Sequence, residues 1–126
     1  MPKTSPTQRS LRAMRDAGYT CGITEKWNPF AHIRQDLFGV IDIVCIHPDH
    51  GIIGVQTTTD SNTSSHIKKC VAEPRLRTWL QSGGKFIMHT WGKHGDRGKR
   101  KVWRCRTYRA FVAGGDMVVF EKGEST

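Results

Sequence analysis

Two apolar runs joined by a short turn constrain the fold of this chain more than any other feature. Residues 40–46 (Val-Ile-Asp-Ile-Val-Cys-Ile) and 52–58 (Ile-Ile-Gly-Val-Gln-Thr-Thr) flank the turn His47-Pro-Asp-His-Gly51. Each run is about the length of a strand and carries β-branched residues on both faces, which predicts two strands of a sheet covered on its two sides. A carboxylate inside such a strand is costly unless it is paired or holds a metal. Asp42, between Ile41 and Ile43, therefore needs a partner.

With the turn centred near Asp49, Asp42 falls opposite Gln56, and strand alternation puts Thr58 on the same side as Gln56. Asp36, at the end of the Arg34-Gln-Asp segment that feeds the first strand, offers a second carboxylate. Carboxylate, amide and carbonyl oxygens are the hard ligands that Mg²⁺ or Mn²⁺ accepts, so Asp42, Asp36 and Gln56 form a candidate metal set. Simpler readings stay open. Asp42 can be a strand-end carboxylate paired with an arginine such as Arg34, Asp36 a turn former, Gln56 a strand-tying amide, and Thr58 an ordinary strand residue.

Around this pair the chain reads as one α/β domain with a central mixed sheet. A helix capped by Thr7 carries Leu11, Met14 and Ala17 and stops at Gly18. Tyr19 to Glu25 forms a first strand, and residues 27–33, with Pro29, are irregular. The hydroxyl-rich run Thr57–Ser65 leads into a helix at His66–Ala72, and a second helix follows Pro74 through Leu80. That run serves as a helix cap or as a phosphate cradle. Lys85–Trp91 is a strand, Gly92–Gly98 a basic loop, and Lys101–Tyr108 its hairpin partner. Phe111 to Phe120 adds an edge strand or a packed tail, and the last residues fray.

Charge points to a partner. The 126 residues hold 20 Lys and Arg against 11 Asp and Glu, a net charge of +9, for which nucleic acid is the natural counterpart. Eight of those cations fall within the seventeen residues 93–109, with Trp91, Trp103 and Tyr108 interleaved. Lys93, Arg97, Lys99, Arg100 and Lys101, together with Arg34, are the candidate nucleic-acid contacts, while the tryptophans are assigned to the core. His89 is a strand residue facing either core or cleft. The cysteines Cys21, Cys45, Cys70 and Cys105 are scattered, with no zinc-like spacing to His66 or His89, so Cys45 reads as a buried free thiol. No run is long enough for a membrane span, and the first residues lack a signal-peptide core, which together predict a cytoplasmic protein without a membrane partner.

Over roughly residues 7 to 92 this arrangement resembles the PD-(D/E)XK nuclease superfamily, and within it the Holliday-junction-resolvase-like and VRR-type nucleases, including short basic phage proteins. That family sets an Asp at the head of one core strand and Glu-x-Lys on the next, within an αβββαβ core. Here Ile41-Asp42-Ile-Val matches the Asp element, and Gln56-Thr57-Thr58 stands where Glu-x-Lys would be. The resemblance implies a restriction-endonuclease-like core followed by a basic hairpin and tail (residues 93–126). It also implies a metal-dependent endonuclease acting on branched DNA as a homodimer, in a host cytoplasm if phage-encoded. Asp42, Gln56, Thr58 and Asp36 would be catalytic, and Lys68, Lys69 or Lys85 would replace the missing lysine. The replaced Glu and Lys leave two alternatives: an inactive DNA- or RNA-binding protein on the same fold, or a ribosome- or RNA-associated basic module in which Asp42 is structural.

Overall fold

Burial on both faces of the strand pair is realised by helices on opposite sides of one sheet. The computed structural model describes residues 4–95 and 97–123. The elements run α1 (Pro6–Asp16), β1 (Thr20–Ile23), β2 (Lys26–Asn28), β3 (Ile33–Gln35), β4 (Ile43–His47), β5 (Gly51–Thr59), α2 (Thr63–Val71), α3 (Pro74–Gln81), β6 (Lys85–His94), β7 (Val102–Ala113) and β8 (Met117–Lys122). Six strands form one mixed sheet in the order β1-β4-β5-β6-β7-β8, and β2 and β3 pair separately. Only β5 and β6 run parallel, and α2 and α3 make the crossover between them. The result is a single α/β domain with three helices and a mixed sheet.

Alternation along the strands divides the core in two. Val40, Ile41, Phe86 and Met88 meet Cys70 of α2 and Leu76 of α3 on one face. Ile43, Cys45, Ile53 and Val55 meet Leu11 and Met14 of α1 on the other. Each fully buried aliphatic or aromatic side chain here stabilises the fold by roughly 1.5–3 kcal/mol.

Helix α1 begins earlier than the sequence suggests. Ser5, not Thr7, is the N-cap, with its Oγ accepting from the Gln8 N–H at 3.1 Å. Pro6 fits the first helical position because no intrahelical partner is needed there. Thr7 is thereby free to face β5. Residues 27–33 are not wholly irregular: β2 and β3 make a small hairpin, closed by the Asn28 side chain accepting from the Phe30 and Ala31 N–H groups. Pro29 lies in its turn, where its missing N–H costs nothing. The long hairpin is also larger than expected, since β6 runs on to His94 and β7 to Ala113. Phe111 to Phe120 divides between β7, a turn and the edge strand β8. Fraying was expected of the last residues, and 124–126 lie outside the described residues. No helix among the described residues is long and apolar enough to cross a membrane.

His89 belongs to the core. Its Nδ1 meets Ser10 Oγ at 2.9 Å, and that hydroxyl also accepts from Trp91 Nε1 at 2.8 Å. Burial lowers its pKa to about 4. The unfolded chain therefore binds a proton between that value and the ordinary 6.5 while the native state does not, and stability falls as pH drops through this window. The loss should approach about 3 kcal/mol. Urea unfolding of wild type and His89→Gln at about pH 7 and about pH 4.5 checks this: wild type should lose markedly more stability on acidification, and parallel losses would contradict it.

Candidate metal centre

The end of the sheet where β5 leaves for α2 carries the polar residues. Asp42 immediately precedes β4, and its backbone is clamped from both sides. Its N–H donates to the Val55 carbonyl at 2.8 Å, and its carbonyl accepts from the Thr24 N–H at 2.8 Å. The Thr24 hydroxyl donates to the neighbouring Ile41 carbonyl at 2.7 Å. With the backbone fixed, the side chain is only 4% exposed and lies against the last turns of β5.

The carboxylate is held by β5. Asp42 Oδ2 accepts from the Thr57 N–H at 2.7 Å, from Thr57 Oγ1 at 3.2 Å and from Gln56 Nε2 at 3.0 Å. Thr7 of α1 completes the chain by sharing a hydrogen bond with Thr57 Oγ1 at 2.9 Å. Asp36 reaches the same place through a tight turn: the Leu37 N–H donates to Ile41 O and the Ile41 N–H to Leu37 O, both at 2.9 Å. Phe38 adopts a left-handed conformation in that turn (φ 55°). A bulky residue there is strained, and the Phe38 ring is held in place between Trp79 and the Arg75 guanidinium.

Glu25, Asp36 and Asp42 each bring a carboxylate oxygen within 4.8 Å of the others. They line a cleft of about 310 Å³ with Gln56, Thr58 and His66. Burial and the neighbouring Asp36 push the Asp42 pKa up to about 7, although the Thr57 N–H and the Gln56 amide act in the opposite direction. Arg34 lies 3.3 Å from Glu25 and Lys69 3.9 Å from Asp36, so the crowded carboxylates are only partly neutralised, and among the described residues Asp42 has no cation within 4.0 Å. An all-oxygen acidic set with a 310 Å³ opening fits a hard divalent cation that keeps some of its waters.

The residues expected from sequence divide as follows. Asp42, Asp36, Gln56 and Thr58 come together. Gln56 does so with its amide turned away from the expected ligand role: Nε2 faces Asp42 and Asp36, and Oε1 accepts from Cys70 Sγ at 3.5 Å. As oriented it steadies the acids instead of offering them an oxygen. Thr57, not Thr58, grips Asp42, because the carboxylate lies over the β5 backbone instead of staying on one face.

Arg34 does not pair with Asp42; it lies 3.3 Å from Glu25. Lys68 is exposed on α2, and it is Lys69 whose Nζ lies 3.9 Å from Asp36 Oδ2. Lys85 is paired opposite Ile53, at the far end of β5 from the acids. Glu25 and His66 were not anticipated. Glu25 was read as the end of a strand, and only the clamp at Thr24 brings it to Asp42. His66 Nδ1 is buried without a hydrogen-bond partner, and burial, with Lys69, lowers the ring's pKa. On the wall of the acidic cleft this ring nitrogen has no protein partner and is available to a water or a ligand. No family model, curated protein or solved structure matches this chain.

Because the Asp42 pKa is raised, the metal-free native state holds a proton that the unfolded chain has already released, so this group destabilises the fold as pH rises from about 4 to above 7. Asp42→Asn should therefore raise the metal-free thermal midpoint by several degrees at about pH 8 and by roughly a third as much at about pH 5. Excess Mn²⁺ should raise the wild-type midpoint by several degrees, more at high pH, and leave Asp42→Asn unmoved. Thermal unfolding with and without Mn²⁺ measures both, and equal metal shifts in the two proteins would refute the centre.

Proposed function

We propose that this chain is a divalent-metal-dependent DNA endonuclease with a restriction-endonuclease-like core of PD-(D/E)XK type. The observation that carries the reading is the convergence of Glu25, Asp36 and Asp42 in one cleft beside the orphaned His66 nitrogen. The element order supports it. A helix, an antiparallel run β1-β4-β5, a helical crossover and a parallel β6 are in keeping with the αβββαβ order that the sequence resemblance implies, apart from the additional β2–β3 hairpin.

Glu25, Asp36 and Asp42 would hold Mg²⁺ or Mn²⁺. A divalent ion bound there supplies Lewis-acid polarisation of the scissile phosphate and a water acidified toward neutrality. The chain's own residues do the positioning. Thr57 and Gln56 fix the Asp42 carboxylate in one orientation, so its ligand geometry is set before substrate arrives. Thr58 stands where the family's lysine would be, and Arg34, 3.3 Å from Glu25, and Lys69, 3.9 Å from Asp36, are the cations that would neutralise charge developing on the phosphate. Branched DNA is the favoured substrate. Cutting both strands of a junction requires two such sites, hence a homodimer.

A second reading has a specific observation in its favour. Gln56 donates to the acids, and no lysine occupies position 58, the pattern of a DNA binder on the same fold that has lost cleavage. Incubation of labelled four-way junction, flap, duplex and single-stranded DNA with Mn²⁺ separates the two. The nuclease reading predicts cleavage of the branched substrates that falls at least a hundredfold in Asp42→Ala, in line with loss of an essential electrostatic group. Salt-sensitive binding with no cutting by either protein would establish the inactive binder.

A further inference from the structure

The hairpin between β6 and β7 has a geometry that the acidic centre does not explain. Its last pairing with β5 is Thr59 with Trp91, and β8 joins β7 only at Tyr108. Residues 92–94 and 102–104 therefore form a two-stranded ribbon with no further strand paired to either edge. Lys93, Arg97, Lys99, Arg100, Lys101 and Arg104 are all exposed on it. Among the described residues none of these six is within 4.0 Å of a carboxylate.

The root of the ribbon is fixed rigidly. Asp60, just after β5, accepts from Thr90 Oγ1 at 3.1 Å and lies 2.7 Å from His94 Nε2. Gly92 permits this, since a Cβ there would overlap the Asp60 carboxylate. Trp103 is not a core residue, as the sequence suggested, but 40% exposed. Its ring carries the Arg9 guanidinium of α1 at 4.1 Å and Lys93 Nζ at 5.5 Å, which extends the cationic surface from ribbon to helix. At the tip the two sides close tightly: a Cβ on Gly95 would lie 2.7 Å from the Arg100 carbonyl oxygen. The ribbon is thus narrow and basic, and it emerges from the same end of β5 as Thr58 and the acids.

We propose that this ribbon lies in the major groove of B-form duplex DNA and holds it beside the acidic cleft. The inference rests on the DNA reading above but not on cleavage. A major groove about 12 Å wide admits a two-stranded ribbon, whereas the A-form RNA major groove is too narrow and deep. The ribbon's exposed cations supply the phosphate contacts on either side. Trp103, with Arg9 and Lys93 against its ring, gathers that charge at the root of the ribbon.

Fluorescence anisotropy in EDTA, where no cleavage occurs, tests this with a short DNA duplex, the RNA duplex of the same sequence and the single strand. Wild type should bind the DNA duplex at least roughly tenfold more tightly than the other two. Combined Lys99→Glu, Arg100→Glu and Lys101→Glu should weaken duplex binding by tenfold or more. The three changes should also reduce the salt slope by about 3. These positions are exposed, and an unchanged circular dichroism melt confirms that the variant folds. Methyl green, a major-groove ligand, should displace the protein, and netropsin, a minor-groove ligand, should not. Equal affinity for RNA or single strands, displacement by netropsin alone, or wild-type binding by the triple variant would each overturn the proposal. Loss of cleavage with duplex binding intact would instead count against the nuclease reading alone.

Discussion

The carboxylate of Asp42, lying across the end of β5, is the point on which the rest of the arrangement depends. Its own N–H and carbonyl tie it to Val55 and Thr24, so the residue belongs to three strands at once. Its side chain then draws in the Thr57 N–H and hydroxyl and the Gln56 amide. These donors compensate the burial of a charge, though not fully, since the group still prefers its proton up to about pH 7. Glu25 and Asp36 each bring a carboxylate oxygen within 4.8 Å of it, and Arg34 and Lys69 pair with these two acids; under the proposed reading the three acids would hold a cation.

The same end of the sheet also organises the basic ribbon. β5 stops at Thr59, and the next residue, Asp60, turns away from the cleft to anchor Thr90 and His94. One chain segment thus separates an acidic pocket from a cationic arm over a few residues. Under the proposed function, a polyanion would be gripped by the arm and a phosphate drawn to the pocket only once a divalent ion sits there. Helix α1 joins the two regions, with Thr7 reaching Thr57 and Arg9 reaching Trp103.

Much of this was legible in the sequence. Paired apolar runs around a short turn specify an antiparallel pair, and period-two alternation is enough to bring Asp42 to Gln56. The register places Ile43 opposite Val55, one step from that pair. What escaped was whatever depends on side chains crossing between elements. Thr57 and not Thr58 holds Asp42, because the carboxylate leans onto the backbone. Glu25 and Arg34 meet through a hairpin too short to show any periodicity, and that contact removes Arg34 from Asp42. Lys69 is chosen over Lys68 by helix phase, a difference of about 100° that depends on where α2 docks. Trp103 reads as core by residue type, although it sits on a basic ribbon where Arg9 of α1 and Lys93 lie against its ring.

The central claim is that Glu25, Asp36 and Asp42 together hold one divalent cation. Anomalous scattering from crystals grown with Mn²⁺ addresses it without recourse to activity. The account predicts a peak about 2 Å from oxygens of all three carboxylates, with water completing the coordination and Gln56 still donating to Asp42. A crystal with no anomalous density in the cleft, or with the metal bound only elsewhere, would contradict it.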